Sequence, residues 1–164
     1  MKDEEILNRE INEKSLKVRW EFDENVEIPE GFIDWFFKTA SHLGQISTAP
    51  NDLEVQQNTN GQCFHNSQLV SLANKDVKYF EGLMYGPIFK NCLHHGFNLN
   101  ANGVIDVTYL NNKIEFKEYR DKYYIYFGVH IPNEFIKKYK EKIASANQQN
   151  PILLDYYNYI SKTE

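Results

Sequence analysis

At 164 residues and 19.4 kDa, with 41% hydrophobic and 25% charged side chains, the chain has the size and make-up of a single globular domain spanning 1–164, which excludes a large multidomain machine. Only 8 Gly and 5 Pro stand beside 11 Tyr, 11 Phe and 2 Trp, so neither a collagen-like nor a wholly disordered chain fits. Residues 1–54 carry 13 acidic against 6 basic side chains within a formal net charge of -5, a balance that argues against binding a nucleic-acid phosphate backbone. No apolar run approaches the roughly 20 residues of a membrane helix, and the start, Met1 to Asn8, is acidic where a signal peptide would be basic. Two cysteines, Cys63 and Cys92, are too few for a disulfide scaffold. The expectation is a soluble cytoplasmic protein that engages neither membrane nor nucleic acid.

In chain order, Lys2 to Lys14 predicts a short, loosely packed helix anchored by Ile6, Leu7 and Ile11. Leu16, Val18, Trp20 and Phe22 alternate with Lys17, Arg19 and Glu21, the period of a strand with one buried face. Gly31 to Leu43 offers Phe32, Trp35, Phe36 and Ala40 at helical spacing, and polar Gly44 to Asn60, with Pro50, reads as loop. Asn60 is placed to cap a helix of Gly61 to Ala73 with Leu69, Leu72 and Ala73 on its apolar side. Strands are predicted over Val77–Met84, Leu93–Leu99, Val104–Tyr109, Lys113–Tyr119 and Lys122–His130. Pro132 and Asn133 open a helix in which Phe135, Ile136, Tyr139 and Ile143 face inward, leaving Lys137, Lys138, Lys140 and Lys142 as a solvated basic face. Pro151 begins a last helix through Ile160. Helix, several strands, then helix argues for an α+β fold with a mainly antiparallel sheet.

The chemistry-bearing residues gather around Cys63. In the first turn of a helix, unpaired backbone N–H groups and the positive dipole end favour an anion, which suits a thiolate nucleophile; the alternative is a small buried core residue. Such a nucleophile requires a base and a group that orients the base. His65 is two residues along the helix, a rotation of roughly 200 degrees away from Cys63. That leaves His94 and His95, of which only one can face Cys63, because successive strand residues point to opposite sides. Asp106 lies in the apolar run Val104-Ile105-Asp106-Val107-Thr108-Tyr109, where a carboxylate needs a partner. Direct pairing of His95 with Asp106 puts their β-carbons roughly 5 Å apart and requires Asn98 to Gly103 as a wide loop. A tight turn at Asn102-Gly103 would instead set Asp106 opposite Leu99, roughly 13 Å from His95.

Gly61-Gln62-Cys63-Phe64, His95-Gly96-Phe97-Asn98 and Asp106-Val107-Thr108 resemble, in order, the three catalytic segments of the transglutaminase-like branch of the papain-like superfamily, with Gly-Gln-Cys-Trp, His-x-Trp and Asp-x-Thr patterns. The resemblance covers roughly residues 60 to 130; Phe64 and Phe97 stand where tryptophans are usual, and the His-to-Asp interval is short for the branch. Tyr79-Phe80-Glu81-Gly82 and Tyr126 to Pro132 are similar to stretches of small bacterial and phage proteins. The resemblance implies a papain-like fold whose cysteine-bearing helix packs on the sheet. It makes Cys63 the nucleophile, His95 the base and Asp106 the orienting acid of a peptidase, deamidase or transglutaminase-type acyl transferase. Such an enzyme needs no cofactor or metal and takes a protein or peptide substrate. A catalytically inactive protein-binding module on the same fold is the alternative.

Three further residues are weaker candidates. Gln57, six residues before Cys63, stands at the interval of an oxyanion-hole glutamine in papain-like proteases, with Gln56 and Gln62 equally available, a plain polar loop residue as the alternative, and the Cys63 N–H as the safest donor. Glu81 shares a strand face with Val77, Tyr79 and Leu83 and is placed either to contact a substrate amine or tune His95, or to satisfy a structural partner. Cys63, His65, Cys92, His94 and His95 together present five potential zinc ligands, but the one-residue spacers are unlike those of structural zinc sites.

Overall fold

The computed structural model of the chain describes residues 17–44, 46, 62–85, 91–110, 125–142 and 151–164. Its elements are β1 (Lys17–Arg19), α1 (Phe32–Thr39), β2 (Ser41–Gly44), α2 (Cys63–Ala73), β3 (Lys78–Tyr85), β4 (Asn91–Asn100), β5 (Gly103–Ile105), α3 (Val107–Leu110), β6 (Ile125–Ile131), α4 (Asn133–Lys142) and α5 (Leu153–Ser161). The fold is α+β. Among the described residues the strands form one six-stranded sheet in the order β1-β4-β3-β6-β2, with β5 paired to the far end of β4. Every named pairing is antiparallel except β1 with β4. No helix among the described residues is long and apolar enough to cross a membrane.

Strand alternation divides the core in two. Tyr79, Leu83 and Tyr85 of β3, Cys92 of β4 and Ile125, Phe127, Val129 and Ile131 of β6 turn toward one side, where Phe32 and Phe36 of α1, Ile136 of α4 and Leu153 and Leu154 of α5 cover them. Phe80, Met84, Phe97 and Tyr126 turn to the other side and pack with Ile46 and Val104. The central strands are therefore buried on both faces, which explains why their sequences run apolar rather than alternating cleanly with polar residues.

Five expectations are corrected. The helix predicted to run to Leu43 ends at Thr39, where Ala40 turns extended, and Ser41–Gly44 becomes β2 along the edge of β6. An open strand edge offers this segment hydrogen bonds that local propensity does not reveal. The strand predicted over Val104–Tyr109 stops at Ile105 and gives way to the helical turn α3. Gln62 is the N-cap of α2, and the helix starts at Cys63 rather than Gly61. Its buried side is also largely polar: Asn66, Ser67, Gln68 and Ser71 are buried with Phe64 and Val70, while Leu69, Leu72 and Ala73 are only partly covered. The predicted helix at Lys2–Lys14, the strand at Lys113–Tyr119, the cap Asn60 and the candidate Gln57 lie outside the described residues. In α4, Lys137 and Lys138 are exposed as expected, whereas Lys140 is half-buried and its ammonium is correspondingly easier to deprotonate.

Candidate active site

A helix with a polar buried side must satisfy those groups on whatever it packs against. In α2 the Gln68 amide donates to the Tyr79 hydroxyl (3.3 Å) and Ser71 Oγ to the Gln68 carbonyl (2.9 Å), while other bonds tie the helix to its neighbours. Ser67 Oγ donates to the Gly96 carbonyl (2.9 Å), Asn98 Nδ2 donates to the Ser67 carbonyl (2.8 Å), and Asn133 Nδ2 donates to the Ser71 carbonyl (3.0 Å). These bonds draw the start of α2 onto β4 at Gly96. A β-carbon at position 96 would lie 2.9 Å from Phe64 Cα and 3.2 Å from the Cys63 carbonyl oxygen, so only glycine admits this approach.

Cys63 is partly exposed at the first position of α2, while Cys92 is fully buried in the core. The first intrahelical bond runs from the Asn66 N–H to the Gln62 carbonyl (2.9 Å), so the N–H groups of Cys63, Phe64 and His65 have no acceptor within the helix. These donors and the helix dipole favour negative charge at this end. Gln62 makes no side-chain capping bond.

His95 lies beneath, on β4, within hydrogen-bond reach of Cys63. Its Nε2 is 2.6 Å from Asp106 Oδ2, and both side chains are buried. With Nε2 given to the carboxylate, Nδ1 is the ring nitrogen available to sulfur. The register that joins them differs from both expected forms. Asn100 pairs with Gly103 and Asn98 with Ile105, so the connection is a tight turn at Ala101-Asn102, with Gly103 at φ 122 beginning the return strand. That turn brings Asp106, the residue just past the last β4–β5 pair, to the side of the sheet where His95 lies, so that its carboxylate reaches the imidazole. A wide loop is thus unnecessary, and Leu99 pairs with Val104 rather than with Asp106.

Burial works against charge on His95, but the Asp106 carboxylate, the Cys63 sulfur and its hydrogen bonds to both outweigh it, and the imidazole is held protonated well beyond the ordinary histidine range. His65 moves the other way, through burial and then Lys140, and His130 does so through burial and Lys78, partly offset by Glu134. As pH rises, His65 and His130 are expected to lose their protons first, with His95 remaining an imidazolium past neutrality. Nitrogen–proton correlation spectra of the imidazoles would check this order, and His95 titrating together with the other two would refute the buried ion pair. Since folding lifts His95 above its unfolded value near 6.5, its stabilising contribution is complete below about 6.5 and is lost as pH rises through the folded value.

Glu81 belongs to a different centre. It is fully buried on the face of the sheet away from His95 and contacts His94 instead. Oε1 accepts from His94 Nε2 (2.9 Å) and the Leu153 N–H (3.1 Å); Oε2 accepts from the Tyr79 hydroxyl (2.7 Å) and the Ile152 N–H (2.8 Å). Because His94 Nδ1 accepts from the Glu21 N–H (3.1 Å), His94 is the neutral tautomer with its proton on Nε2. Glu81 therefore caps the start of α5 and ties it to β4 and the segment after β1. The alternation singled out Glu81 as buried but carried no sign of a partner 71 residues away. Tyr126, which donates to Asp106 Oδ2 (2.8 Å), is a further member of the site that sequence spacing did not reveal.

Among the described residues no three His, Cys, Asp or Glu side chains are grouped to hold a metal ion. Cys92 and His94 share one sheet face while His95 points to the other, which separates the five potential zinc ligands. Comparison with family models, curated proteins and solved structures finds no match to this chain.

Proposed function

We propose that the chain is a thiol enzyme of papain-like, transglutaminase-like type that acts on an amide or related acyl carbonyl of a protein or peptide. The observation that carries this reading is the buried His95 imidazole, held to Asp106 at 2.6 Å and acted on by the sulfur of Cys63, a partly exposed cysteine at the head of a helix. In the proposed reaction the Cys63 sulfur attacks the carbonyl carbon and forms a C–S bond, and the N–H groups at the start of α2 receive the oxyanion. The protonated His95 Nδ1 gives its proton to the departing amine as the C–N bond breaks. Water then attacks the thioester carbonyl while neutral His95 takes its proton, and the C–S bond breaks to release a carboxylic acid and restore the thiolate beside protonated His95; an amine in place of water gives transamidation. Asp106 holds the imidazole so that Nδ1 stays aimed at sulfur.

The test pairs reactivity with turnover. Brief iodoacetamide treatment near neutral pH is expected to alkylate Cys63 well before Cys92, as read by mass spectrometry of peptides. Incubation with a cell lysate should give cleaved, deamidated or crosslinked products that are absent with Cys63→Ser, whose melting temperature stays close to that of the wild type. Identical product profiles for the two proteins would refute the enzyme; a partner retained equally by both would then identify a binding module.

A further inference from the structure

We infer that Tyr126 is a positioning residue of this site, acting through Asp106 to hold His95 toward Cys63. The inference rests on the triad reading above and adds a fourth member from a distant strand. Tyr126 is buried on β6, and its hydroxyl donates to Asp106 Oδ2, the same oxygen that faces His95 Nε2. A carboxylate bound by one donor can pivot about its Cβ–Cγ bond, whereas two donors converging on one oxygen from different elements fix where that oxygen sits. The need for such a brace is particular to this fold. Asp106 has left the regular ladder, for β5 ends at Ile105 and α3 begins at Val107, so no strand register holds its side chain.

The approach from β6 is open because Gly82 of β3 registers with both His95 and Gly128, so at that level β3 carries no side chain between the rings. Phe97 packs edge-to-face on Tyr126 with ring centroids 4.9 Å apart, setting the phenol's direction. Among the described residues, those facing His95 include Asp106, Cys63, the Phe97 ring stacked at a centroid distance of 6.5 Å and the Tyr126 ring at 6.3 Å; Glu81 and His94 lie on the opposite face.

The test uses Tyr126→Phe, which removes one oxygen and keeps the ring, beside Asp106→Asn. With the brace gone, the carboxylate supports the imidazolium less well. The His95 titration midpoint in nitrogen–proton spectra should fall toward that of ordinary histidine. Cys63 alkylation near neutral pH should slow by roughly tenfold, the size expected for one hydrogen bond to a charged group, while the melting temperature changes little. A midpoint that stays put, or rises as it would if the phenol merely drew charge off Asp106, overturns the inference. Asp106→Asn separates the two claims. If it leaves both the His95 midpoint and the Cys63 rate unchanged, the triad itself fails; if it shifts them while Tyr126→Phe does not, only the role of Tyr126 fails. Should Tyr126→Phe not fold, the wild-type Tyr126 hydroxyl proton is the readout. A protected resonance that follows the His95 titration supports the role, and one indifferent to it overturns it.

Discussion

Glu81→Ala is expected to lower the melting temperature by on the order of 10 °C, the largest stability loss among single substitutions outside the apolar core. The side chain accepts from four donors, namely His94 Nε2, the Tyr79 hydroxyl and the Ile152 and Leu153 N–H groups, and it is fully buried. Alanine leaves all four without that acceptor, where water is excluded. An orphaned buried donor costs about 1 to 3 kcal/mol, so even partial relaxation leaves a loss of about 4 kcal/mol, and each kcal/mol is worth about 2 to 4 °C in a domain of this length. Glu81→Gln should fall between, because its amide nitrogen must face donors at one of the two oxygen positions. Calorimetry would measure the effect, and hydrogen exchange would locate it, with the Ile152 and Leu153 amides losing protection first. A melting temperature within two or three degrees of wild type for Glu81→Ala would show that the network is not what docks α5.

Gly96→Ala is expected to disable the candidate active site while the sheet survives. The added methyl would stand 2.9 Å from Phe64 Cα and 3.2 Å from the Cys63 carbonyl, both backbone atoms that no side-chain rotation can move away. The start of α2 must lift from β4, stretching the Ser67 bond to the Gly96 carbonyl and drawing sulfur away from His95. Overpacking of this kind costs about 1 to 3 kcal/mol in stability. A displacement near 1 Å at reacting atoms costs on the order of a hundredfold in rate. The expected result is a folded protein, several degrees less stable, whose Cys63 alkylation and turnover fall by at least tenfold and whose His95 midpoint drops. Wild-type alkylation and an unmoved His95 midpoint in Gly96→Ala would mean that the helix start does not set the sulfur–imidazole distance.

These two residues illustrate how unevenly the molecule can be read from its amino acids. Gly96 stands beside His95 within a recognisable segment, yet its own role depends on which helix lies above it. Glu81 is visibly out of place in an apolar strand, but a buried carboxylate announces only that partners exist. Besides Tyr79, two residues before it, its partners lie 13 residues away at His94 and 71 and 72 away at the start of α5.

The amino acids alone determined the α+β class, the central strands β3, β4 and β6, the exposure of Lys137 and Lys138 on α4 and the placing of Cys63 at a helix start, because each follows from local periodicity, caps and turn residues. Which histidine meets the cysteine followed only as far as strand alternation allowed. Tertiary structure decided the rest: Ser41–Gly44 became strand because the edge of β6 was open, and the tight turn at Ala101-Asn102 returned the chain so that Asp106, just past β5, meets His95. Tyr126 then reached the same carboxylate from a strand elsewhere in the sheet. Local signals specify what each segment prefers, whereas register and the contacts between distant segments arise from packing energies that exist only once the chain has closed on itself.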